Sequence, residues 1–318
     1  MLLLPKNHPT LKIKLPNLQD YKNIYLTNGV NYPLSTIVNP NGGLLQNLPK
    51  PNSLHVGWPW NVQVKPEIYD KNLFWPKLTI VTPSYNQEKF IEQTIRSILL
   101  QNYPNLEYII IDGGSTDNTK SVIEKYAAWI SFFEIKKDNG QGHAINKGFS
   151  LASGTYYSWI NSDDYYLENT FHKVISKFIS TNAEFIYGYS QTFDQENGEF
   201  SLNKTLPLFD SLIRMPTLQQ PSTFWLSKIH QPIWEELVCS LDYELWLRML
   251  VGKKKRLIKE PLAVAHVHQA AKTHNPKMGE SWAKDHELIC SPDAHGPVKQ
   301  WKIRYLAHRI RIKINKYL

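Results

Sequence analysis

The 318-residue chain holds only two cysteines, Cys239 and Cys290. Two thiols exclude a disulfide-stapled framework and a cysteine-rich metal site, and they point to a reducing compartment. No run of about 18 apolar residues is present, which argues against a conventional membrane span. The opening residues do not read as a secretion signal either: Leu2, Leu3 and Leu4 are too few, and Lys6 and Pro9 follow them. A cytoplasmic location is the expectation, with peripheral residence at the inner face of the cell membrane as its variant. There is no GxxxxGK[ST] loop and no GxGxxG after the first strand; Gly113-Gly114 and Gly140-Gln141-Gly142 are too short for either. Acid is missing from the tail. From Lys299 onward there are seven Lys or Arg residues and no Asp or Glu. Of a formal net charge of +8, the tail holds seven units, so the preceding chain is nearly neutral. That balance implies no broad nucleic-acid face, and a nucleic-acid binder is a weaker reading.

What is present reads as a globular protein. Apolar residues make up 42% and charged residues 20%, the balance of a soluble domain rather than a disordered chain. The length suits one large domain with additions, or two modest ones. Residues 1–75 are rich in Pro, Asn and Gly and lack periodicity. They read as an extended leader that wraps or links to a domain, with simple disorder as the alternative. Trp58, Trp60, Phe74 and Trp75 argue for docking of its C-terminal part.

Strand–helix alternation begins at Lys77. Strands are predicted over 78–82, 108–111, 132–135 and 156–160, and helices over 88–100, 117–126 and 141–152. Further on, a helix is predicted over 170–179, a strand over 184–193 that turns at Asn197-Gly198, and a helix over 234–250. The pattern predicts an α/β fold with a mostly parallel sheet and helices on both faces. In such sheets ligands sit beyond the carboxyl ends of the strands. Three polar groups fall there: Ser84-Tyr85-Asn86, Asp112, and Asp163-Asp164.

Adjacent carboxylates at 163 and 164 repel unless a cation or a proton compensates. Mg²⁺ and Mn²⁺ suit oxygen ligands and bridge to phosphates. On the residues alone, a solvated turn or helix cap is an equally open reading. Tyr85 can pack on a base, or simply pack. Asp112 can accept from a base or ribose. His143 stands at a predicted helix start, where a phosphate would be met. His266 and His268 share one side of a strand if that segment is extended, facing a metal, a diphosphate or the core.

The order and spacing of four segments resemble the inverting family 2 glycosyltransferases of the GT-A fold. They are Thr79-Ile80-Val81-Thr82-Pro83-Ser84-Tyr85-Asn86-Gln87, Asp112-Gly113-Gly114-Ser115-Thr116-Asp117, Gly140-Gln141-Gly142-His143-Ala144-Ile145-Asn146-Lys147-Gly148, and Trp159-Ile160-Asn161-Ser162-Asp163-Asp164. The resemblance covers about residues 77–270. It implies a Rossmann-like central sheet and a GT-A domain over 76–270, with a nucleotide-sugar half to about 165 and an acceptor half beyond. A leader over 1–75 and a C-terminal extension over 271–318 flank it. Carried over, the resemblance places Pro83, Tyr85, Asn86, Asp112, His143 and Asp163 around the donor nucleotide. It gives Asp163, Asp164 and His268 to a Mn²⁺ or Mg²⁺ ion, and makes Asp242 the catalytic base, with Glu244 in reserve. Gln219 to Phe224 resembles the acceptor-side segment. The chain departs from the family's usual acids at Gly113, Asn161 and Leu241.

The implied chemistry needs those groups. An acceptor hydroxyl is a weak nucleophile until a carboxylate within about 3 Å takes its proton. The departing nucleoside diphosphate gains charge that a cation stabilises, and the transition state is oxocarbenium-like. The expected function is therefore metal-dependent, inverting transfer from a nucleotide diphospho-sugar to a glycan or lipid-linked acceptor in surface-polysaccharide synthesis. A degenerate glycan-binding or scaffold protein and a nucleotidyltransferase are the alternatives.

Lys253 to Arg256 reads as a solvated loop. In the tail, Ile303, Leu306, Ile310, Ile314 and Tyr317 follow helix spacing, with Lys302, Arg304, Arg309, Arg311, Lys313 and Lys316 around them. A helix over 299–318 lying on an anionic membrane fits that pattern; docking of its apolar face on the protein itself is the alternative.

Overall fold

The computed structural model describes residues 13–51, 55–215, 217–269, 271–272 and 275–317; for Trp301 and residues 314–317 only the helical backbone is described. The expected positions of Ile314, Lys316 and Tyr317 on a helix face thus lie outside the described side chains.

Apolar runs build the centre. Every residue of β1 (Leu78–Ser84) and β2 (Leu106–Asp112) is buried, as continuous apolar strands require when helices cover both faces. Successive side chains divide between two cores. Ile80, Tyr108 and Ile110 meet α2 (Ile91–Leu99) and α3 (Thr119–Lys125) on one side. Val81, Ile109 and Ile111 meet α4 (Gln141–Leu151) on the other. With β3 (Phe132–Ile135) and β4 (Tyr156–Trp159), these strands form a parallel array in the order β3-β2-β1-β4.

The second half continues the same sheet. It comprises β5 (Tyr165–Tyr166), α5 (Thr170–Thr181), β6 (Phe185–Asp194), β7 (Glu199–Asn203), β8 (Thr223–Leu226), α6 (Leu241–Met249) and β9 (Lys255–Val267). The order runs on as β4-β8-β6-β9-β5, with β7 on β6. β6 and β9 are parallel; β8, β5 and β7 run antiparallel to their neighbours. The sheet is therefore parallel in the four strands expected to be so, and mixed beyond them. β9 carries an irregularity against β6: Gly188 pairs Ile258, Tyr189 pairs Pro261 and Ser190 pairs Ala263.

Residues 13–51 and 55–75 are docked, as the tryptophan cluster suggested, but over a longer stretch. Ile37, Leu44, Leu48, Val64, Tyr69 and Trp75 join the first core, whereas Phe74 is exposed. The leader also contains a helix that the sequence reading lacks, α1 (Leu18–Thr27), which packs on α4. Asn17 caps it by accepting the Gln19 N–H at 3.1 Å. The buried Arg96 of α2 pins the strap, donating to the carbonyls of Pro49 (3.0 Å), Pro59 (3.0 Å) and Trp60 (2.6 Å). Trp58 Nε1 donates to Tyr166 O at 2.8 Å, so the strap also touches β5.

The helix expected over 234–250 begins only at Leu241. The N–H groups of residues 238–240 are taken by Asp285 of α7 (Gly279–Cys290) instead of by helical carbonyls. The chain ends in α8 (Trp301–Tyr317).

Candidate active site at the strand ends

The ends of β1 and β2 are stapled to each other. Asn86 adopts a left-handed backbone (φ 53°). Its N–H donates to Ser115 Oγ at 2.8 Å, and its Oδ1 accepts the Thr116 N–H at 2.8 Å. Asp112 is fully buried and spends both oxygens on the adjoining turn: Oδ1 accepts the N–H of Gly114 (3.0 Å) and Ser115 (2.7 Å), and Oδ2 accepts Ser115 Oγ (2.6 Å). Pro83 is likewise buried, paired with Ile111 inside the sheet. Tyr85, by contrast, is 58% exposed at the mouth. Tyr85 and the backbone of the 113–116 turn line the mouth, with Asp112 and Pro83 buried beneath them. Gly114 is required twice over: its φ is +83°, and a Cβ would approach Lys137 N to 2.9 Å.

A carboxylate that sequence reading missed stands beside this turn. A Cβ at Gly113 would lie 3.0 Å from Asp138 Oδ1. That oxygen accepts the Gly140 N–H at 2.8 Å, whereas Oδ2 is buried with no partner. The acid absent from position 113 is thus replaced in space by one from the loop after β3. Only the glycine, leaving room for it, hints at this in the sequence.

The acidic turn after β4 separates its two carboxylates. Asp164 is 6% exposed; its Oδ1 accepts the His266 N–H at 3.2 Å and its Oδ2 the Asn161 amide at 3.4 Å. Burial, then the neighbouring Asp163 charge, pushes its carboxyl well above the ordinary carboxylate range. An aspartate at 161 would add a third charge against this group; the asparagine supplies a donor instead. Asp163 keeps an open side. Its Oδ2 lies 3.2 Å from His268 Nε2, and its carbonyl bonds His266 Nδ1. Both histidines do face one way, as the strand spacing predicts. Phe90 stacks on His268 at 4.6 Å between ring centroids and holds it in place. Among the described residues no three His, Cys, Asp or Glu side chains converge as a ready metal cage. The Asp163–His268 pair supplies one oxygen and one nitrogen, with Asp164 behind.

Asp242 sits in the first turn of α6, half-buried, with Oδ1 accepting the Tyr243 N–H at 2.8 Å. Burial raises its carboxyl above the usual range, opposed by its backbone N–H contacts. No basic side chain pairs with it among the described residues. Glu244 points elsewhere: it is fully buried, forked onto Arg248 (2.7 and 2.8 Å) and bonded to His295 Nε2 (2.9 Å). It holds the C-terminal segment to α6. Leu241, where the resemblance implied an acid, is a core residue.

A polar chain joins the acidic turn to the approach of α6. Lys272 Nζ donates to Val238 O (2.9 Å) and to Gln141 Oε1 (2.7 Å). Gln141 Nε2 donates to Asn161 Oδ1 (2.8 Å), and Asn161 in turn meets Asp164. Lys272 is another residue without a local sequence signal; burial pulls its ammonium below the usual lysine range. His143 lies aside from this chain: Asn139 N–H donates to its Nδ1 at 3.3 Å, and its ring meets Tyr21 of α1 edge-on at 5.3 Å.

Residues 79–232 match the profile described as Glycosyl transferase family 2. An uncharacterized glycosyltransferase of Rickettsia typhi is 30% identical over 222 residues, spanning 64% of this chain and 68% of the relative. Among solved structures, S. aureus TarS 1–349 in complex with UDP-GlcNAc superposes with a TM-score of 0.56 at 18% identity, over 68% of this chain and 67% of that one. The mannosyltransferase PcManGT of Pyrobaculum calidifontis, in complex with GDP-Man and Mn²⁺, gives 0.53 at 15% identity, over 74% and 68%. At such identities the structural likeness speaks for the fold.

Proposed function

Because the chain belongs to the family 2 glycosyltransferases, we propose that it moves a sugar, with inversion, from a nucleotide diphospho-sugar to a hydroxyl of a glycan or lipid-linked acceptor in surface-polysaccharide synthesis. The observation that carries this reading is the Asp242 carboxylate, raised by burial and without a basic partner among the described residues, on a helix whose approach at Val238 is tied through Lys272, Gln141 and Asn161 to the acidic turn.

In this reading Tyr85 stacks on the base and the 113–116 backbone, braced by Asp112 and Asn86, lines the nucleotide. Asp138 Oδ2 accepts a base N–H or a ribose hydroxyl. Asp163 and His268 would hold a divalent cation, with Asp164 behind. One carboxylate oxygen and one imidazole nitrogen suit Mn²⁺ better than Mg²⁺. When bound, such an ion neutralises charge on the leaving diphosphate. Lys272 adds a fixed positive charge on the same side. Asp242 takes the acceptor proton as the acceptor oxygen bonds the anomeric carbon from the face opposite the leaving group. The bond to the phosphate oxygen breaks, and its electron pair leaves with the diphosphate. No protein nucleophile is required. The C-terminal extension over 271–318 belongs with the catalytic domain in this reading, since it supplies Lys272, Asp285 and His295.

Calorimetric titration with UDP- and GDP-sugars, with and without Mn²⁺, tests the donor site. Binding that needs the cation and is weakened by Asp163→Ala supports it. Equal binding without the cation in the wild type, or none to any nucleotide sugar, rejects it.

A further inference from the structure

The helix α8 docks by one face, and among the described residues the opposite face is largely exposed. Arg304 Nη1 donates to Ser211 O at 3.1 Å, and Arg311 donates to Pro207 O while lying over the Phe209 ring at 5.2 Å. With roughly 100° per residue, Arg304, His308 and Arg311 fall on one arc. Two stripes lie side by side on the far side. One is aliphatic: Ile303 is 64%, Leu306 61% and Ile310 49% exposed. The other holds Lys302, Arg309 and Lys313, all exposed, with Tyr305 at its edge, 43% exposed and under the Arg309 guanidinium. A groove is lined by Tyr305, Leu306, Arg309, Ile310 and Lys313.

This corrects the simpler alternative for the tail. The apolar stripe is not what holds α8 to the body; two of its arginines are. Three aliphatic side chains therefore remain in water beside three cations, in a segment that has no acid from Ala294 onward. A second copy of the chain is a poor occupant, because an isologous pairing would bring the basic stripes together. A surface that is apolar within and anionic at its rim complements both stripes.

We infer that the outward face of α8 binds an anionic phospholipid surface, with Ile303, Leu306 and Ile310 entering the headgroup boundary and Lys302, Arg309 and Lys313 at lipid phosphates. The arginines that dock the helix, Arg304 and Arg311, fix which face is offered. This surface is separate from the transfer reaction, and its test needs neither donor nor acceptor.

Co-sedimentation of the full chain with phosphatidylglycerol-rich and with pure phosphatidylcholine vesicles reads it directly. Binding to the anionic vesicles is expected, at least about tenfold weaker on neutral ones and reduced by salt. Leu306→Glu with Ile310→Glu, and separately Lys302→Gln with Arg309→Gln and Lys313→Gln, should each lower it by about tenfold or more, with unchanged circular dichroism and melting temperature. Absent or equal binding to both vesicle types, or full binding by both variants, overturns the proposal. So does a dimer in analytical ultracentrifugation that Leu306→Glu dissociates, which assigns the face to a second copy.

Discussion

The Ser240 N–H donates to Asp285 Oδ2 across 2.8 Å, and this contact caps α6 from another helix. The Ser240 side chain makes no capping bond. Asp285 also accepts the N–H groups of Val238 and Cys239, so a single buried carboxylate closes the start of the helix that carries Asp242.

Asp285→Ala leaves three N–H groups without their acceptor and should cost about 2–4 kcal/mol of stability. The turnover number should fall while donor affinity is kept, since α4 and the strand ends are untouched. Asp285→Asn retains one oxygen and should lose less of both. Urea unfolding and steady-state kinetics check the pair.

For Asp242 the sign of the pH effect is set. Burial favours the protonated form, and a general base must be ionised. The acid limb of kcat/KM should therefore lie above the ordinary carboxylate range. Asp242→Asn should abolish the limb and lower kcat by about 10²–10⁴. Nucleotide release followed across pH measures both; a variant with wild-type turnover would remove Asp242 from the mechanism.

The two acids of the turn should respond unequally. Asp163→Asn should lose cation-dependent donor binding. Asp164→Asn should lose far less, because burial and its neighbour already favour the neutral form of Asp164 and an amide retains an acceptor for His266 N–H. Mn²⁺ titration followed by electron paramagnetic resonance separates them, and equal losses would contradict the division.

His230 predicts acid lability. It packs half-buried against Trp225 and Phe149, accepts the Trp225 indole N–H at 3.3 Å, and desolvation, then the Arg248 charge, lowers its pKa from 6.5 to about 3. Between those values the unfolded chain binds a proton that the folded chain refuses. Stability from this residue is therefore full above pH 6.5 and falls by about 1.4 kcal/mol per unit as pH drops towards 3. His230→Phe should flatten that part of the profile in urea titrations at several pH values.

Arg96→Ala should free the strap. Three main-chain carbonyls lose their buried donor, at about 2–4 kcal/mol. Amide exchange over residues 55–61 should quicken. Arg96→Lys keeps the charge but not the fork, and should fall between the two.

Much of this was legible because it is local. Apolar runs ending in Tyr85, Asp112 and Asp163 define strands and their ends within a few residues, so four motifs in order identify the parallel sheet and its mouth. The rest depends on pairs far apart in sequence. Asp285 shortens the helix expected from 234, and nothing near residue 240 announces it. Asp138 fills the space that Gly113 vacates. Lys272 reaches Gln141 across 131 positions. The side-chain engagement of Asp112 is local, yet a carboxylate offered to a ligand and one spent on its own turn look alike in a sequence. α1 lies in a Pro- and Asn-rich stretch, and of its side chains only Tyr25 is buried, so no core-facing stripe marks it.

The irregular pairing of β9 with β6 sets handedness for the histidines. Between Gly188 and Ser190, β9 advances from Ile258 to Ala263, five positions against two. The surplus is odd, so it decides which side of the strand every later side chain occupies. Deleting one residue from 259–262 would reverse that parity. His266 and His268 would then turn their backs on Asp163, although the chemistry of each residue would be unaltered. Counting, as much as composition, keeps this corner of the protein in order.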